Sequence, residues 1–348
     1  VAVAANAVTK ITGSDTEVLA ALTADGNATL VIDTDFNTDV SGDVSVANAN
    51  TIVLATTGQV DFTGTITDSM ASMLNVGGDG LSTAFAAVTN GTASSDGDGG
   101  VAVTVNAGDL TVAKLNLIKA ATTGTITASI SGTANALTAL NTAATDAITM
   151  TVDEGTVTAA DLATLDGKTS VAVAANAVTK ITGSDTEVRA AITADGNNTL
   201  TIDTDFNTDV TGDLTVANAK IIAQATTGTV DFTGTITDDA DNFAATANGA
   251  IKADFTAVRD AGGDGAVAIV VNDVVTAAQG ATIAGATTGT VDFSLGLSDT
   301  MANLLNGGED AVSANLTAAA DANGDPDVNV TVNAGTLTVA KLNLIKAA

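Results

Sequence analysis

The chain has no cysteine, histidine, tryptophan or tyrosine, and only one proline, Pro326. Without cysteine there is no disulfide and no thiolate metal site. Without histidine there is no imidazole for proton transfer or ligation. Phe is the only aromatic, eight residues in 348. The sugar-stacking platforms of a carbohydrate-cleaving enzyme are therefore missing. Basic residues are scarce, 11 against 40 acidic, for a formal net charge of -29. A chain this acidic repels phosphate backbones, which argues against nucleic acid as a partner. Arg occurs only at Arg189 and Arg259, so no basic cluster is available to stabilise an oxyanion. No apolar run reaches the length that crosses a bilayer, so no membrane insertion is expected.

What is present is small, apolar and repetitive. Apolar residues make up 45 % of the chain. With so few aromatics, the core has to come from Ala, Val, Ile, Leu and threonine methyls. The stretch Ala225-Thr226-Thr227-Gly228-Thr229-Val230-Asp231-Phe232-Thr233-Gly234-Thr235-Ile236-Thr237-Asp238 has close copies beginning at Ala55, Ala121 and Ala286, and a degenerate one at Asp166. Residues 1–68 and 171–238 align without a gap and differ at 12 of 68 positions, and residues 1–18 reappear unchanged as 171–188. A second match, 106–121 against 333–348, shows that variants of one cassette have been shuffled. The spacing divides the chain into about six units, 1–57, 58–123, 124–170, 171–227, 228–288 and 289–348. Repeats of this length point to one continuous array, 1–348, rather than separate domains. Both ends fall at one phase of the repeat, as in a window on a longer array.

Alternation of Val230 and Phe232 with Asp231 and Thr233 is the strand period. It predicts a single strand over 229–237, with Phe62, Phe232 and Phe293 filling the core. Ser14-Asp15-Thr16-Glu17 and Ser184-Asp185-Thr186-Glu187 are capping boxes that start short helices. Another short helix is predicted over 299–306, capped by Ser298 or Asp299 and left through Gly307-Gly308. The segment 113–120 fits a helix, whereas its counterpart 49–54 looks more like strand. Together these features predict a mainly β fold, a repetitive β-solenoid with a short helix or two in each of about six repeats.

Candidate chemistry is confined to acidic loops. Asp321-Ala322-Asn323-Gly324-Asp325-Pro326-Asp327 alternates oxygen ligands around a glycine, as the front of a calcium loop does. The Glu expected at the twelfth position is absent. Asp96 and Asp98, in Ser94-Ser95-Asp96-Gly97-Asp98-Gly99-Gly100, occupy the equivalent edge. The metal candidates are thus Asp321, Asn323, Asp325, Asp327, Asp96 and Asp98, with Ca2+ as the ion. The competing reading is a solvated acidic turn, since Asp and Gly are default turn residues. Thr65-Ile66-Thr67, Thr125-Ile126-Thr127 and Thr235-Ile236-Thr237 could line a regular hydroxyl face, as ice-binding surfaces do, although Thr is also simply a good strand former. No catalytic constellation is visible, and the expectation is that the chain is not an enzyme.

Units of the form Asp/Asn-x-Gly-x-Leu-Thr-Val-Ala-x-Leu-Asn-x-Ile-x-Ala-Ala-Thr-Thr-Gly, followed by Thr-Gly-Thr-Ile-Thr-Asp, resemble the repeat arrays of giant secreted bacterial cell-surface proteins, of the cyanobacterial type, and of large adhesins. The resemblance implies an extracellular, cell-surface location, a passive structural role as a fibre, layer or adhesin stalk, and in many relatives calcium. The Gly-Gly-x-Gly-x-Asp array of calcium-binding relatives is absent, with Gly77-Gly78-Asp79-Gly80 at best a remnant. A repeat whose edges only a neighbour can satisfy also predicts head-to-tail self-association into a filament. The alternative is a surface module binding calcium, glycan or ice.

Overall fold

A computed structural model describes residues 2–90, 97–106, 108–246, 249–261, 266–320, 325 and 327–347. The fold is mixed α/β, with 35 % helix and 26 % strand, and not the mainly β solenoid predicted from the strand period. The reason is local. Ser and Thr recur just before alanine-rich segments, and alanine is the best helix former. Ser45 accepts the Asn48 N–H and starts a helix over Val46–Val53, where the sequence looked like strand. Thr111 accepts the Lys114 N–H and starts the helix Val112–Ala121. Both capping boxes form, opening the helices Asp15–Gly26 and Asp185–Gly196.

Every pair of described strands is parallel, and each partner lies 20 to 37 residues further along the chain, less than one unit of the sequence repeat. The chain divides into two compact units. The first comprises Val1–Glu154, Thr164–Ala175 and Asn198–Thr201. In it Lys10–Ser14, Asn37–Ser41 and Val60–Phe62 form one three-stranded sheet. A six-stranded sheet runs from Thr65–Asp68 through Ala102–Val105, Ile126–Gly132, Ala147–Val152 and Val173–Ala174 to Leu200–Thr201. Val3–Ala5 and Leu30–Ile32 make a separate pair. The second unit comprises Gly155–Ala163, Asn176–Asn197 and Ile202–Ala348. Its largest sheet joins Thr156–Thr158, Lys180–Ser184, Asn207–Thr211 and Val230–Phe232. Smaller sheets hold Thr235–Asp238, Ala268–Val271 and Val291–Phe293, and then Leu297–Asp299 with Val330–Val332.

The strand predicted over 229–237 is broken at Gly234. A Cβ there would lie 2.0 Å from the Gly212 carbonyl oxygen of the preceding repeat, and Gly212 itself has φ +85°. Only two glycines allow backbones so close at this corner. The helix predicted over 299–306 is shorter, Met301–Leu304, is preceded by Thr300 at the cap position rather than Ser298 or Asp299, and leaves through Leu305 in extended conformation, with no left-handed exit at Gly307 or Gly308. The core is Val, Ile, Leu and Ala, as composition required, with Phe36, Phe62, Phe206, Phe232 and Phe293 buried in it. Phe243 and Phe255 meet edge to face at 5.0 Å.

Candidate functional site

The Thr-Thr-Gly turn is fastened to a backbone carbonyl 20 or 21 residues earlier in the same unit. The Thr122 hydroxyl donates to the Val101 carbonyl at 2.7 Å and accepts the Gly124 N–H at 2.9 Å. Thr169 makes the same two bonds with Ile148 (2.7 Å) and Val171 (3.1 Å). Thr287 makes them with Val267 (2.6 Å) and Gly289 (2.9 Å). Thr56 and Thr226 donate likewise to the carbonyls of Phe36 and Phe206. A buried hydroxyl used as both donor and acceptor satisfies a turn that strand pairing leaves open.

Carboxylates form a second set of fasteners, which sequence reasoning missed. Asp68 Oδ2 accepts the Val46 N–H at 3.1 Å, Asp238 Oδ2 the Val216 N–H at 3.0 Å, and Asp299 Oδ2 the Ala277 N–H at 3.1 Å. In each case the acceptor lies 22 residues after the donor, so one repeat caps the helix of the previous one. Within single units, Glu154 and Asp273 likewise accept the N–H groups of Ala134 and Ala240, both at 2.6 Å. An anion at a helix N-terminus meets unpaired N–H groups and the positive end of the helix dipole. The signal was present in the recurring Thr-Ile-Thr-Asp, whose Asp reads from sequence only as the end of a strand. Asp146 is fully buried, accepts the N–H groups of Ile126 (2.8 Å) and Ala143 (2.9 Å), and pairs with Lys119 at 3.0 Å.

Of the sequence-predicted metal candidates, Asp96, Asp321 and Asn323 lie outside the described residues. Asp98 lines an open concavity of about 530 Å³ with Gln59, Asp61 and Thr123. Its two oxygens accept the Gly100 N–H at 2.8 Å and the Phe62 N–H at 3.3 Å. Asp325 Oδ1 accepts the Asp327 N–H at 3.1 Å, an Asx turn that leaves the Asp327 side chain exposed. Among the described residues, no three Asp or Glu side chains gather as a metal group. A second concavity, about 370 Å³, is lined by Asp238, Asp241, Lys252 and Asp254. There Asp238 caps a helix, Asp241 accepts from Gln279 at 3.1 Å, and Asp254 pairs with Lys220 at 2.6 Å.

The threonine rows are short. Thr67, Thr104 and Thr127 lie in register, but the row continues into Ala147. In the second unit the same row reads Thr237, Val270, Asp292. No helix among the described residues is long and apolar enough to cross a membrane. No family model, curated protein or solved structure matches the chain.

Proposed function

We propose that this is a structural repeat protein of an extracellular cell-surface fibre, layer or adhesin stalk, built by end-to-end self-association. One observation carries the reading: among the described residues, the sheets end in strands hydrogen-bonded on one side only. Among the described residues, Lys10–Ser14 pairs with Asn37–Ser41 alone, and Val330–Val332 with Leu297–Asp299 alone. A parallel strand left with a free row of N–H and C=O groups is a template for another chain. Near-identical repeats support the same reading, because duplicated surfaces serve periodic contacts better than a unique pocket. So does the employment of carboxylates as fasteners between repeats. The strong acidity keeps such assemblies soluble, and the secreted location rests on the resemblance in repeat sequence.

Negative-stain microscopy of the purified chain over a concentration series tests the assembly. Filaments that lengthen with concentration are expected, and isolated particles at the highest concentration would overturn the reading. Protease shaving of intact cells tests the location. Loss of the protein from the cells supports surface exposure, and full protection sinks it.

A further inference from the structure

One helix position recurs with one kind of partner. Five helices begin with a Ser or Thr cap and carry a long polar side chain at the third helical residue: Asn48, Lys114, Asn218, Gln279 and Lys341. Four of these side chains are held by a carboxylate of the chain itself. Asn48 donates to Asp15 at 2.8 Å, Asn218 to Asp185 at 3.2 Å and Gln279 to Asp241 at 3.1 Å, and Lys341 forms an ion pair with Glu309 at 2.5 Å. Lys114 is the exception. Its ammonium donates to the Asp109 backbone carbonyl at 3.2 Å and makes no ion pair among the described residues.

The Lys341 copy shows the cause. Residues 110–121 recur unchanged as 337–348, and the loop 74–82 has the form of 305–313, with Leu74-Asn75, Gly77, Asp79 and Ser82 in common. The two loops close alike. Leu74 bridges Leu81 as Leu305 bridges Val312, and Asn75 donates to Asp79 at 2.9 Å as Asn306 does to Asp310 at 2.8 Å. Lys341 even donates to its own backbone carbonyl, that of Thr336, at the same 3.2 Å. The difference lies at one residue. Where one loop has Glu309, the other has Gly78, in the same left-handed conformation, φ 54° and 68°. Lys114 lies over that glycine, its Nζ 3.9 Å from where a Cβ would stand.

Beside Lys114 the surface is concave and largely apolar. An open concavity of about 620 Å³ is lined by Met70, Leu74, Val76, Leu81 and Lys114. Apolar side chains next to one cation fit an anion that carries a short hydrocarbon chain. The Glu309 side chain, two methylenes ending in a carboxylate, is the molecule's own example of such a group on the equivalent lysine. We propose that this concavity binds a small aliphatic monocarboxylate. Its carboxylate takes the place on Lys114 that Glu309 takes on Lys341, and its hydrocarbon chain covers Met70, Leu74 and Leu81. The charge-assisted bond fixes orientation, and the apolar contact adds affinity. The site lies within the first compact unit and does not rest on the fibre assignment.

Hexanoate is the probe, and methionine methyl groups are the reporters. The chain has four methionines, Met70, Met73, Met150 and Met301. Met70 is partly exposed, whereas Met301, its counterpart in the copy with Glu309, is buried. In the chain labelled with 13C-methyl methionine, and assigned with Met70→Leu, hexanoate is expected to shift the Met70 signal saturably, with a Kd of about 1–10 mM, and to leave Met301 in place. Lys114→Met and Gly78→Glu are each expected to weaken binding at least about tenfold. The first removes the cation, and the second gives Lys114 a carboxylate of its own. Melting temperatures close to that of the parent would show that both variants fold, and Lys114→Met decides the matter should Gly78→Glu not fold. Hexylamine, of the same length and opposite charge, is expected to leave Met70 unshifted. The proposal is overturned by the lack of a saturable Met70 shift, by an equal shift with hexylamine, or by undiminished binding in either folded variant.

Discussion

The threonine of each Thr-Thr-Gly turn does work that its methyl could not. Replacing Thr122 by Val keeps shape and volume but removes the bond to the Val101 carbonyl and strands the Gly124 N–H. A loss of about 1–3 kcal/mol in urea unfolding is expected, the cost of buried groups left unpaired. The glycine that follows acts by a different cause. A Cβ at Gly124 would stand 2.3 Å from the Val101 oxygen, yet the same place holds Val171 in another copy, where the Thr169 bonds persist. The clasp therefore belongs to the threonine, and the glycine answers to the local backbone. The opposite sign is expected at Thr38 and Thr208, equivalent residues at 0 % and 1 % exposure whose hydroxyls have no hydrogen-bond partner among the described residues. Thr38→Val and Thr208→Val should each stabilise the fold by about 1 kcal/mol, since a desolvated hydroxyl is exchanged for a methyl. A lower urea midpoint in either variant would contradict this.

Helices here are held at their N-termini in two ways. A local cap acts within one repeat: Ser184 accepts the Glu187 N–H, and Glu187 accepts the Ser184 N–H at 2.9 Å. The remote cap acts between repeats. Asp299 caps the helix Ala277–Ala284 with one oxygen while the other accepts from Thr300 (2.8 Å) and Asn303 (2.6 Å). Asp299 is buried and Ser184 is partly exposed, so the remote cap matters more. Ser184→Ala is expected to cost about 1 kcal/mol. Asp299→Ala is expected to cost about 2 kcal/mol or more, because three donors lose a charged acceptor. Amide exchange in residues 277–284 should accelerate in the Asp299 variant, and unchanged exchange there would refute the remote cap. Helix Asp185–Gly196 also carries Arg189, forked onto Asp185 at 2.7 and 2.8 Å, where the duplicate helix has Leu19. The pair raises the Arg189 pKa through the Asp185 hydrogen bonds, yet at a partly exposed site it adds little stability.

Over the whole molecule, electrostatics pulls two ways. A net charge of -29 opposes folding by self-repulsion, and salt screens it. Against this, folding lowers several carboxyl pKa values. The Asn48 amide holds Asp15 down, the Ser14 N–H holds Glu17, the Ser184 N–H holds Glu187, the Thr235 hydroxyl holds Asp213, and Arg259 holds Asp260. A carboxyl whose pKa is lower folded than unfolded contributes fully above its unfolded value and loses that contribution as pH falls through the folded value. At about 0.5 M salt, where repulsion is screened within about 4 Å, the melting temperature should be level from pH 7 to 5 and drop below about pH 4. At pH 7, raising salt from about 0.02 to 0.5 M should raise it. A melting temperature that rises on acidification in high salt would contradict the local bonds.

Sequence alone determined both capping boxes and the burial of the recurring phenylalanines. Each depends on neighbours close along the chain or on the identity of one repeat with another. It also excluded thiol and imidazole chemistry outright. Sequence did not reveal that segments such as 46–53 are helices, because a short Val/Ile/Ala run satisfies either period. Nor did it reveal the roles of Thr122, Asp68 or Asp299, whose partners lie 21 or 22 residues away. Those contacts exist only once parallel pairing brings successive strands into register, and that same register turned a corner at Gly234 where alternation had promised an unbroken strand. Burial was decided there too: Leu115 and Leu342 sit in identical segments, yet Leu115 is fully buried and Leu342 is exposed, so packing and not local sequence sets their burial.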